Sequence, residues 1–570
     1  MKKTGAGAFF PGTFFAALLL RAALGGQPVF AFSFNDAAPA EELAANIVNA
    51  MTDEEALSQV FMFGWKDWER GPEPAITLWI KERALGGVKV FGRNTGNTER
   101  LAATIGEFQR LSARGRFNIP LLVATDQEGG MVRHVKGSTS ETPGAMAVGA
   151  SGYPQDAYLS GYYIGKELAA LGINMNFAPS VDLFTNHDST LIGTRSFGDD
   201  PVRAGLLAIA FAKGLEAAGI IATAKHFPGH GGTAFDSHIT LPRINVDFNT
   251  LWERELVPFR MMARDNVPAI MSGHLAFPQT EAKETPASVS PWFLQAILRE
   301  KIGFKGIIVT DGMEMNGILA SAGPLSRAAK AALMAGNDII MMLDTPAPDE
   351  PVWVNLLLDM GTDEKFRERV REAAHQVLLL KLRYLKGERA VPPIPSIERA
   401  RRGVSEPEGT KFFQGLAARA ATVVSDNRKT LPLDRVKAGR VLLVAGNVGE
   451  TDDRRVQHFF KAGRLAYPES PRAWWNAMST AAVLAMGREA DTILFYCEKK
   501  EDIGMLNALR PLGKRVIVLS VANPAYLAEA PWVDAALAVY SGSYESIAAG
   551  FSALLGKFTP QGLVPFKTGR

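Results

Sequence analysis

Short apolar segments alternate with stretches of helix length through the first two thirds of the chain. Each apolar segment ends in a small or polar residue, which is typical of a buried strand that leads into a loop. Eight such segments follow one another: 60–64, 87–92, 121–126, 174–182, 220–226, 269–274, 307–311 and 338–343. Eight strands separated by helices predict a TIM-type (β/α)8 barrel, an α/β fold whose functional groups lie at the carboxyl ends of the strands.

An open doubly wound sheet is the alternative fold for such a pattern. That fold commonly binds a nucleotide through a glycine-rich loop at the start of a helix. No glycine-rich phosphate loop opens any predicted helix of this chain, so the barrel is the better interpretation.

The remainder of the chain predicts a second α/β domain. The barrel domain is expected at 40–386, because an amphipathic helix at 362–386 closes it and a proline-rich linker, 387–407, follows. Beyond the linker, apolar segments again alternate with helix-length stretches, which predicts an α/β sandwich domain at 408–570. Its predicted strands are 441–446, 492–497, 516–523 and 537–540.

The N-terminal segment 1–31 has the pattern of a secretory signal peptide. Lys2 and Lys3 precede the apolar run 14–20, which is too short to span a bilayer as a stable helix, and 29–31 offers a small-residue cleavage site. An uncleaved membrane anchor is the alternative, whereas the lack of a cysteine after the run excludes a lipoprotein. We therefore expect a mature chain without a stable membrane span, secreted or in the periplasm or envelope of a bacterium.

Composition excludes several kinds of partner and cross-link. The 570 residues include 62 basic and 59 acidic side chains, a net charge of +3, without a basic block, so nucleic acid is not an expected partner. The single cysteine, Cys497, excludes an internal disulfide and lies in an apolar run typical of a core. The oligomeric state does not follow from these numbers.

Titratable side chains are concentrated at 223–243, a segment that includes the end of the fifth predicted strand. Three of the eight histidines are here, His226, His230 and His238, together with Asp236. Proline and glycine residues after His226 prevent a helix, so most of the titratable groups lie on a loop. The carboxyl end of a barrel strand is where such a loop carries catalysis.

Three interpretations of this loop are open. A metal could be bound by His226 and His230, but side chains four residues apart share a face only on a helix, and Pro228 breaks one. Polar residues could merely cap a loop. The third interpretation is acid–base catalysis, in which Asp236 accepts a hydrogen bond from one nitrogen of His238 while the other nitrogen exchanges a proton near neutral pH.

The sequence KHFPGHG, followed by DSH, resembles the signature of glycoside hydrolase family 3 in its β-N-acetylhexosaminidase branch. The β-glucosidase branch of that family lacks the DSH element. The resemblance implies a retaining glycosidase in which His238 and Asp236 form the general acid/base, with no metal or other cofactor. The segments ATVVSDNRKTLPL and FTPQGLVPF resemble parts of the family's C-terminal α/β sandwich domain.

The seventh predicted strand delivers a carboxylate, Asp311, to its carboxyl end. Retention requires a carboxylate that attacks the anomeric carbon and forms a glycosyl-enzyme. The segment is similar to the family's nucleophile strand, which implies this role for Asp311. Family members often carry a second acidic residue after the nucleophile. Here Gly312 stands in that place, and Glu314 is the rival nucleophile.

The same resemblance implies a set of sugar-binding residues. Asp126, at the start of the motif DQEGG, matches the family's sugar-binding aspartate, and a carboxylate there can accept hydrogen bonds from two hydroxyl groups. Arg195 matches the family's second arginine, and Lys225 and His226 match its Lys-His pair.

The first arginine of the family pattern is displaced in this chain. It normally follows eight residues after the aspartate, where this chain has His134, so Arg133 one place earlier is the expected sugar-binding residue. Either the loop shifts or the contact is lost. Asp182, Asn186 and His274 also follow predicted strands, but the sequence gives them no specific role.

These features predict an exo-acting, retaining β-N-acetylglucosaminidase that removes terminal β-linked GlcNAc from murein- or chitin-derived conjugates. The enzymatic alternatives are a β-glucosidase or β-xylosidase of the same fold, and a phosphorylase that uses phosphate in place of water. A catalytically inactive carbohydrate-binding protein is the alternative from another class, and the presence of Asp236, His238 and Asp311 argues against it.

Overall fold

A computed structural model describes residues 32–68, 71–234, 240–446, 472–475 and 477–568. The expected signal peptide, 1–31, lies outside the described residues and stays a prediction. Within the described ranges, no helix is both long enough and apolar enough to cross a membrane.

Eight parallel strands form a barrel. They are β1 Phe61–Gly64, β2 Gly87–Val90, β3 Leu122–Thr125, β4 Met175–Asn176, β5 Ile221–Phe227, β6 Ala269–Ser272, β7 Ile307–Thr310 and β8 Ile340–Met342. Neighbours pair in chain order from β1 to β7, and β8 pairs with β1. A bridge between Val309 and Ile339 joins the last two strands and closes the ring. The predicted TIM-type barrel is confirmed, with all eight strands in place.

Helices fill the connections and cover the outside of the barrel. They are Ala40–Ala50, Asp53–Gln59, Pro74–Arg83, Thr98–Ala113, Ala145–Ser151, Pro154–Ala170, Pro201–Ala217, Phe248–Glu253, Leu256–Arg264, Asn316–Ala322, Leu325–Ala335, Pro351–Thr362 and Glu364–Tyr384. A π-helix occupies Trp292–Lys301, and 3-10 turns occupy Gly92–Asn94, Gly193–Arg195 and Ala287–Val289. The local sequence sets where these helices begin and end. For example, Thr52 and Glu55 form a reciprocal capping box at the start of the helix Asp53–Gln59.

The barrel strands are buried on both faces. Side chains that point inward, such as Met175 and Met271, form one apolar cluster inside the barrel. Side chains that point outward, such as Val123 and Ile270, pack beneath the helices in another. Because strand side chains alternate between two buried faces, each strand is a continuous apolar run in the sequence.

The predicted linker, 387–407, lies along the barrel. It contains the helix Ile397–Arg402, whose Arg401 forms an ion pair of 2.6 Å with Glu99 on the barrel helix Thr98–Ala113. The helix Pro407–Ala420 then leads into the second domain.

The second domain is built on a six-stranded sheet. Its strands are β9 Thr422–Asp426, β10 Val441–Ala445, β11 Arg472–Trp474, β12 Thr492–Cys497, β13 Arg515–Ser520 and β14 Ala535–Ala538. They are ordered β9-β14-β13-β12-β10-β11, and β9 alone among them is antiparallel to its neighbour. The helices are Arg435–Ala438, Thr480–Glu489, Asp502–Leu509 and Tyr544–Leu554, with 3-10 turns at Arg510–Leu512 and Pro524–Glu529. The predicted α/β sandwich is confirmed.

The second domain packs on the barrel loops that follow β3 and β4. Met146, Ala150 and Phe184 of the barrel share a buried apolar cluster with Tyr540 and Phe566 of the second domain. The contact therefore lies on the side of the barrel where the carboxyl ends of the strands open.

Candidate active site

A cavity of about 410 Å³ opens at the carboxyl ends of the barrel strands. Five of the residues predicted from sequence line it: Asp126, Arg195, Lys225, His226 and Asp311. The other lining residues are Phe91, Val132, His134, Leu191, His230, Met271, Met315, Met341 and Leu343. The structure thus brings together side chains at the carboxyl ends of β3, β5 and β7 that are far apart in sequence, as the loop face of a barrel requires.

Asp126 forms ion pairs with two lysine side chains in the cavity wall. Its carboxylate lies 2.5 Å from Lys225 Nζ and 2.6 Å from Lys89 Nζ. Burial alone would raise the pKa of Asp126, but the two positive charges outweigh burial and hold it well below its usual range. The carboxylate therefore stays ionised and can accept hydrogen bonds from a ligand's hydroxyl groups.

Glu128 joins Lys225 to Arg195. Arg195 approaches the Glu128 carboxylate with both Nε (2.9 Å) and Nη2 (2.8 Å), a bidentate pair, and Lys225 Nζ lies 2.7 Å from the same carboxylate. Burial would raise the pKa of Glu128, but Arg195 and Lys225 together lower it to about 2. Lys225 is thus shared between two carboxylates, which fixes its ammonium group at the cavity wall.

His226 is held between Asp182 and Arg195. Its Nδ1 lies 2.7 Å from the Asp182 carboxylate, and Arg195 Nη2 lies 3.4 Å from its Nε2. Since a guanidinium group only donates, Nε2 accepts and Nδ1 carries the proton that Asp182 accepts. Asp182 also accepts from the backbone N–H of His230 at 2.6 Å. Asp182, to which the sequence gave no role, therefore orients the loop after β5.

Arg133 does not reach the cavity, contrary to the expectation from sequence. Residues 127–129 and 132–133 form a hairpin, and its side chains alternate between two faces. Val132 and His134 face the cavity, whereas the Arg133 guanidinium donates to the carbonyl groups of Thr139 and Ser140.

His134 occupies the place that the sequence had assigned to the arginine. Its Nδ1 lies 3.3 Å from Lys89 Nζ and 3.6 Å from the Asp126 carboxylate. Burial and the adjacent Lys89 lower the pKa of His134 to about 4, so the ring is neutral near pH 7. Nδ1 then accepts from Lys89, which leaves a proton on Nε2 for a ligand.

Asp311 and Glu314 have different surroundings. Asp311 lines the cavity, and its Oδ1 accepts a hydrogen bond from the backbone N–H of Gly312 at 2.8 Å. The Glu314 carboxylate accepts instead from the backbone N–H of Leu343 at 2.9 Å and 3.0 Å. Burial raises the pKa of Glu314 to about 7. Asp311 is therefore the carboxylate that can meet a ligand in the cavity.

His274 braces the turn that follows Asp311. It is fully buried, its Nδ1 lies 2.7 Å from Ser288 Oγ, and its Nε2 lies 3.0 Å from the Gly312 carbonyl oxygen. Nε2 must donate to that carbonyl, so Nδ1 accepts from the serine hydroxyl. The strand-end position of His274 was the signal for this residue, but its contact with Gly312 joins positions 38 apart, which sequence alone does not define.

Asp236 and His238 lie in segment 235–239, outside the described residues, so the acid/base pair stays a prediction. Among the described residues there is no group of three histidine, cysteine, aspartate or glutamate side chains arranged to hold a metal ion. What the described wall offers is an ionised carboxylate with ammonium, guanidinium and imidazole donors, which suits a ligand rich in hydroxyl groups, and a separate carboxylate, Asp311, for attack on it.

Lys89 and Glu128 are the members of this wall that the sequence interpretation missed. Lys89 is fully buried within β2, where the run GVKVFG is otherwise apolar, so a lysine on an apolar strand was the available signal. Burial lowers the pKa of Lys89, and Asp126 opposes that effect. Glu128 was visible in the motif DQEGG, but its pairing with Arg195 crosses 67 positions.

Proteins similar in sequence to this chain include bacterial β-hexosaminidases. A β-hexosaminidase A of Pseudoalteromonas piscicida is 36% identical over 317 residues, 53% of this chain and 51% of that protein. A β-hexosaminidase of Methylococcus capsulatus is 37% identical over 267 residues, 46% of this chain and 77% of that protein. The match thus spans about half of the first relative and more of the second.

Solved structures extend the likeness to both domains. A glycoside hydrolase family 3 β-N-acetylglucosaminidase from a Paenibacillus species superposes with a TM-score of 0.80 at 28% identity, covering 91% of this chain and 99% of that one. A β-glucoside phosphorylase superposes with a TM-score of 0.78 at 21% identity, over 95% of this chain and 99% of that one, and shows the shared fold. The profile of the glycosyl hydrolase family 3 N-terminal domain matches residues 52–379, more than half of the chain, and this protein therefore belongs to glycosyl hydrolase family 3.

Proposed function

We propose that this protein is an exo-acting, retaining β-N-acetylglucosaminidase. The observation that carries the proposal is the cavity in which Asp311 lies in one wall and the ionised Asp126, with Lys225, lies in another. The sequence relatives named β-hexosaminidase and the structural relative that is a β-N-acetylglucosaminidase support N-acetylglucosamine as the sugar.

The reaction would proceed in two steps on the anomeric carbon. In the first, an Asp311 oxygen attacks that carbon while His238 gives a proton to the departing glycosidic oxygen, so a glycosyl-enzyme forms and the aglycone leaves. In the second, neutral His238 takes a proton from water, the water oxygen attacks the same carbon, and the bond to Asp311 breaks. Two inversions retain the β configuration. Asp236 would hold the His238 ring by accepting from its other nitrogen.

Binding of the sugar would use the charged wall of the cavity. Asp126 accepts from hydroxyl groups, while Lys225, Arg195 and His134 present donors that are already oriented by their protein partners. Because these groups are fixed before the ligand arrives, little reorganisation is needed on binding. His134 replaces Arg133 in this proposal.

The floor of the cavity bears on how a sugar chain can enter it. Met271 and Met341 belong to the cluster inside the barrel and also line the cavity, so apolar side chains close its floor. A chain end can enter this cavity from the carboxyl side of the barrel, as exo action requires.

The test compares sugar release from nitrophenyl β-GlcNAc and nitrophenyl β-glucose, with and without inorganic phosphate. We expect GlcNAc from the first compound and much slower release from the second. Preference for glucose would favour the β-glucosidase alternative. A sugar phosphate formed in the presence of phosphate would favour the phosphorylase alternative. No release under any condition would favour an inactive binding protein.

We further propose that the enzyme acts outside the cytoplasm on murein- or chitin-derived fragments. The proposal rests on the lysines and short apolar run at the N-terminus. Cell fractionation should find the protein in the periplasm, envelope or medium, and full-length protein confined to the cytosol would contradict export. Kinetic comparison of a GlcNAc-anhydromuramic acid disaccharide with chitobiose would identify the natural source of the sugar.

A further inference from the structure

The segment between Asp182 and the next helix carries Arg195 and is tied to Asp182, and both of these side chains orient the cavity wall. We name residues 183–199 the Arg195 loop. Its ends meet where the Phe184 N–H donates to the Gly198 carbonyl at 2.9 Å, and the Ser196 hydroxyl ties it to the Asp182 carbonyl at 2.6 Å. The position of this loop therefore sets both the Arg195 guanidinium and the Asp182 carboxylate.

The last described segment of the second domain lies directly on this loop. We name residues 562–567 the C-terminal tail. Its Pro565 carbonyl accepts from the Asp199 N–H at 3.2 Å, and its Lys567 N–H donates to the Asp199 carboxylate at 2.9 Å. A Cβ atom at Gly198 would collide with the Pro565 carbonyl oxygen. The backbone of the tail thus contacts the end of the loop at Pro565 and at Lys567.

Phe566 supplies the apolar part of this contact. Its side chain is 6% exposed, and its ring centroid lies 4.9 Å from that of Phe184 and 5.1 Å from that of His187. Phe184 and Phe566 belong to the apolar cluster shared by the two domains. Aromatic contacts of this geometry contribute beyond simple area burial.

Two further contacts hold the same loop from the second domain. Lys500 pairs with Asp188 at 2.7 Å, and the Asn523 side chain donates to the His187 carbonyl at 3.1 Å. Both of these lie at 187 and 188, the outer turn of the loop, which the Phe566 ring also contacts at His187. The other tail contacts reach 184, 198 and 199, the base of the loop. The base is the part joined to Asp182 and nearest to Arg195.

We propose that Phe566 is a positioning residue for the glycosidase reaction: through the C-terminal tail, the second domain holds the Arg195 loop and so sets Arg195 and Asp182, without itself touching substrate. This inference rests on the proposed function. The alternative is that the tail only attaches one domain to the other, in which case its loss would lower stability but leave the site unchanged.

The experiment compares Phe566→Ala and Phe566→Leu with Leu563→Ala. Leu563 is the matched control, because it lies on the same tail and its side chain is 66% exposed. For nitrophenyl β-GlcNAc we expect Phe566→Ala to raise KM by roughly tenfold or more, with a smaller fall in kcat, because binding groups move while Asp311 does not. Phe566→Leu should give an intermediate loss, and Leu563→Ala should match the wild type.

Hydrogen exchange provides a measurement that does not depend on the substrate. Peptides covering 183–199 should exchange faster in Phe566→Ala than in the wild type or Leu563→Ala, while peptides from the barrel strands keep their protection. Unchanged exchange in the Arg195 loop would overturn the inference, as would faster exchange with unchanged kinetic constants. If the wild type does not cleave the GlcNAc compound, the proposed function fails, and exchange still decides whether the tail holds the loop.

A double-mutant comparison separates positioning from a general loss of stability. In an Arg195→Lys background, Phe566→Leu should increase KM by a smaller factor than in the wild type, because the part of its effect that acts through Arg195 is already lost. Full additivity of the two effects would show that Phe566 acts elsewhere and would overturn the inference. Phe566→Leu is used here because it keeps most of the buried apolar volume and should fold if Phe566→Ala does not.

Discussion

At the scale of single residues, carboxylates three positions apart differ completely in surroundings. Asp311 lines the cavity, while Glu314 holds the backbone of Leu343 at the end of β8. The sequence could place both after the same strand, because a strand end is a local feature. It could not separate them, because the partner of Glu314 is 29 positions away.

Asp311→Asn should reduce turnover on the order of 10⁴-fold or more, because no nucleophile remains. Glu314→Gln is the matched variant, since it removes a carboxylate from the same turn but keeps an acceptor oxygen for Leu343, and its loss should be far smaller. A fluorinated GlcNAc analogue that traps the glycosyl-enzyme should label Asp311 in peptide mapping. A label on Glu314 would reverse the assignment.

His134→Ala should lower kcat/KM for the GlcNAc compound by roughly tenfold, because a donor in the cavity wall is lost and Lys89 loses a partner. Arg133→Ala should have a weaker effect, since that guanidinium binds the carbonyl groups of Thr139 and Ser140 outside the cavity. Steady-state kinetics of the two variants decides between them. A larger loss of kcat/KM for Arg133→Ala than for His134→Ala would show that Arg133, and not His134, contributes to sugar binding.

His238→Ala should slow hydrolysis of a natural disaccharide far more than that of a dinitrophenyl glycoside, whose leaving group needs little protonation. Deglycosylation would then limit the activated compound, and azide should partly restore its turnover by attacking without help from a base. Equal losses on both compounds, with no effect of azide, would make His238 a structural or binding residue.

At the scale of elements, the apolar pattern predicted the strands well and the side-chain directions within hairpins less well. Barrel strands are buried on both faces, so each appears as an uninterrupted apolar run that needs no knowledge of its neighbours. The direction of Arg133 depends instead on how the hairpin is aligned, and a shift by one residue exchanges the two faces. For this reason the eight strands were predictable and the replacement of Arg133 by His134 was not.

The helix Glu364–Tyr384 carries a buried charge at Lys381, whose Nζ lies 2.9 Å from Gln59 Oε1. Burial lowers the pKa of Lys381 to about 7. Between about pH 7 and the usual lysine range the unfolded chain binds more protons than the folded one, so this group makes stability rise with pH across that window. Below it both states are charged, and the cost of burial is present in full, on the order of 4 kcal/mol.

Lys381→Met should therefore raise the free energy of unfolding at pH 6 to 7 and should flatten its dependence on pH up to about pH 10. Part of the gain is offset because Gln59 Oε1 loses its donor. Lys365→Met, at an exposed position of the same helix, controls for the change of net charge. Urea unfolding at several pH values measures both variants, and a less stable Lys381→Met with the wild-type pH dependence would contradict the assignment.

At the scale of the whole molecule, two domains meet over a shared apolar cluster, and Phe413 and Leu416 of the helix Pro407–Ala420 also pack into the barrel's core. The alternation of strands and helices predicted both domains from sequence, because each sheet is built from its own segments. The contact of Phe566 with Phe184 joins positions that no local pattern relates, so the participation of the second domain near the site became visible only in the folded chain.

Expressed alone, residues 408–570 should fold cooperatively, because apolar clusters cover both faces of its sheet. In the barrel alone, ending at 386, Phe184 and Met146 would be exposed to solvent, because their apolar partners in the second domain are missing. This fragment should therefore bind a hydrophobic dye, and its kcat/KM should fall by at least about tenfold. Thermal unfolding, dye binding and kinetics test the two fragments. A barrel fragment with wild-type activity, or a second domain that does not fold, would contradict this division.

The buried charges of the cavity wall also bear on how substrates arrive. The wall contains three cationic and three carboxylate side chains that form ion pairs or lie close to one another. They are Lys89, Lys225 and Arg195, and Asp126, Glu128 and Asp182. Fields of paired charges cancel within a few ångströms, so this wall neither attracts nor repels a charged fragment from a distance. These six side chains therefore contribute little to long-range steering, and any effect of ligand charge on the encounter rate comes from groups outside this set, Asp311 among them. At this wall, discrimination between neutral and acidic ligands begins only on contact, once the ligand has entered the cavity.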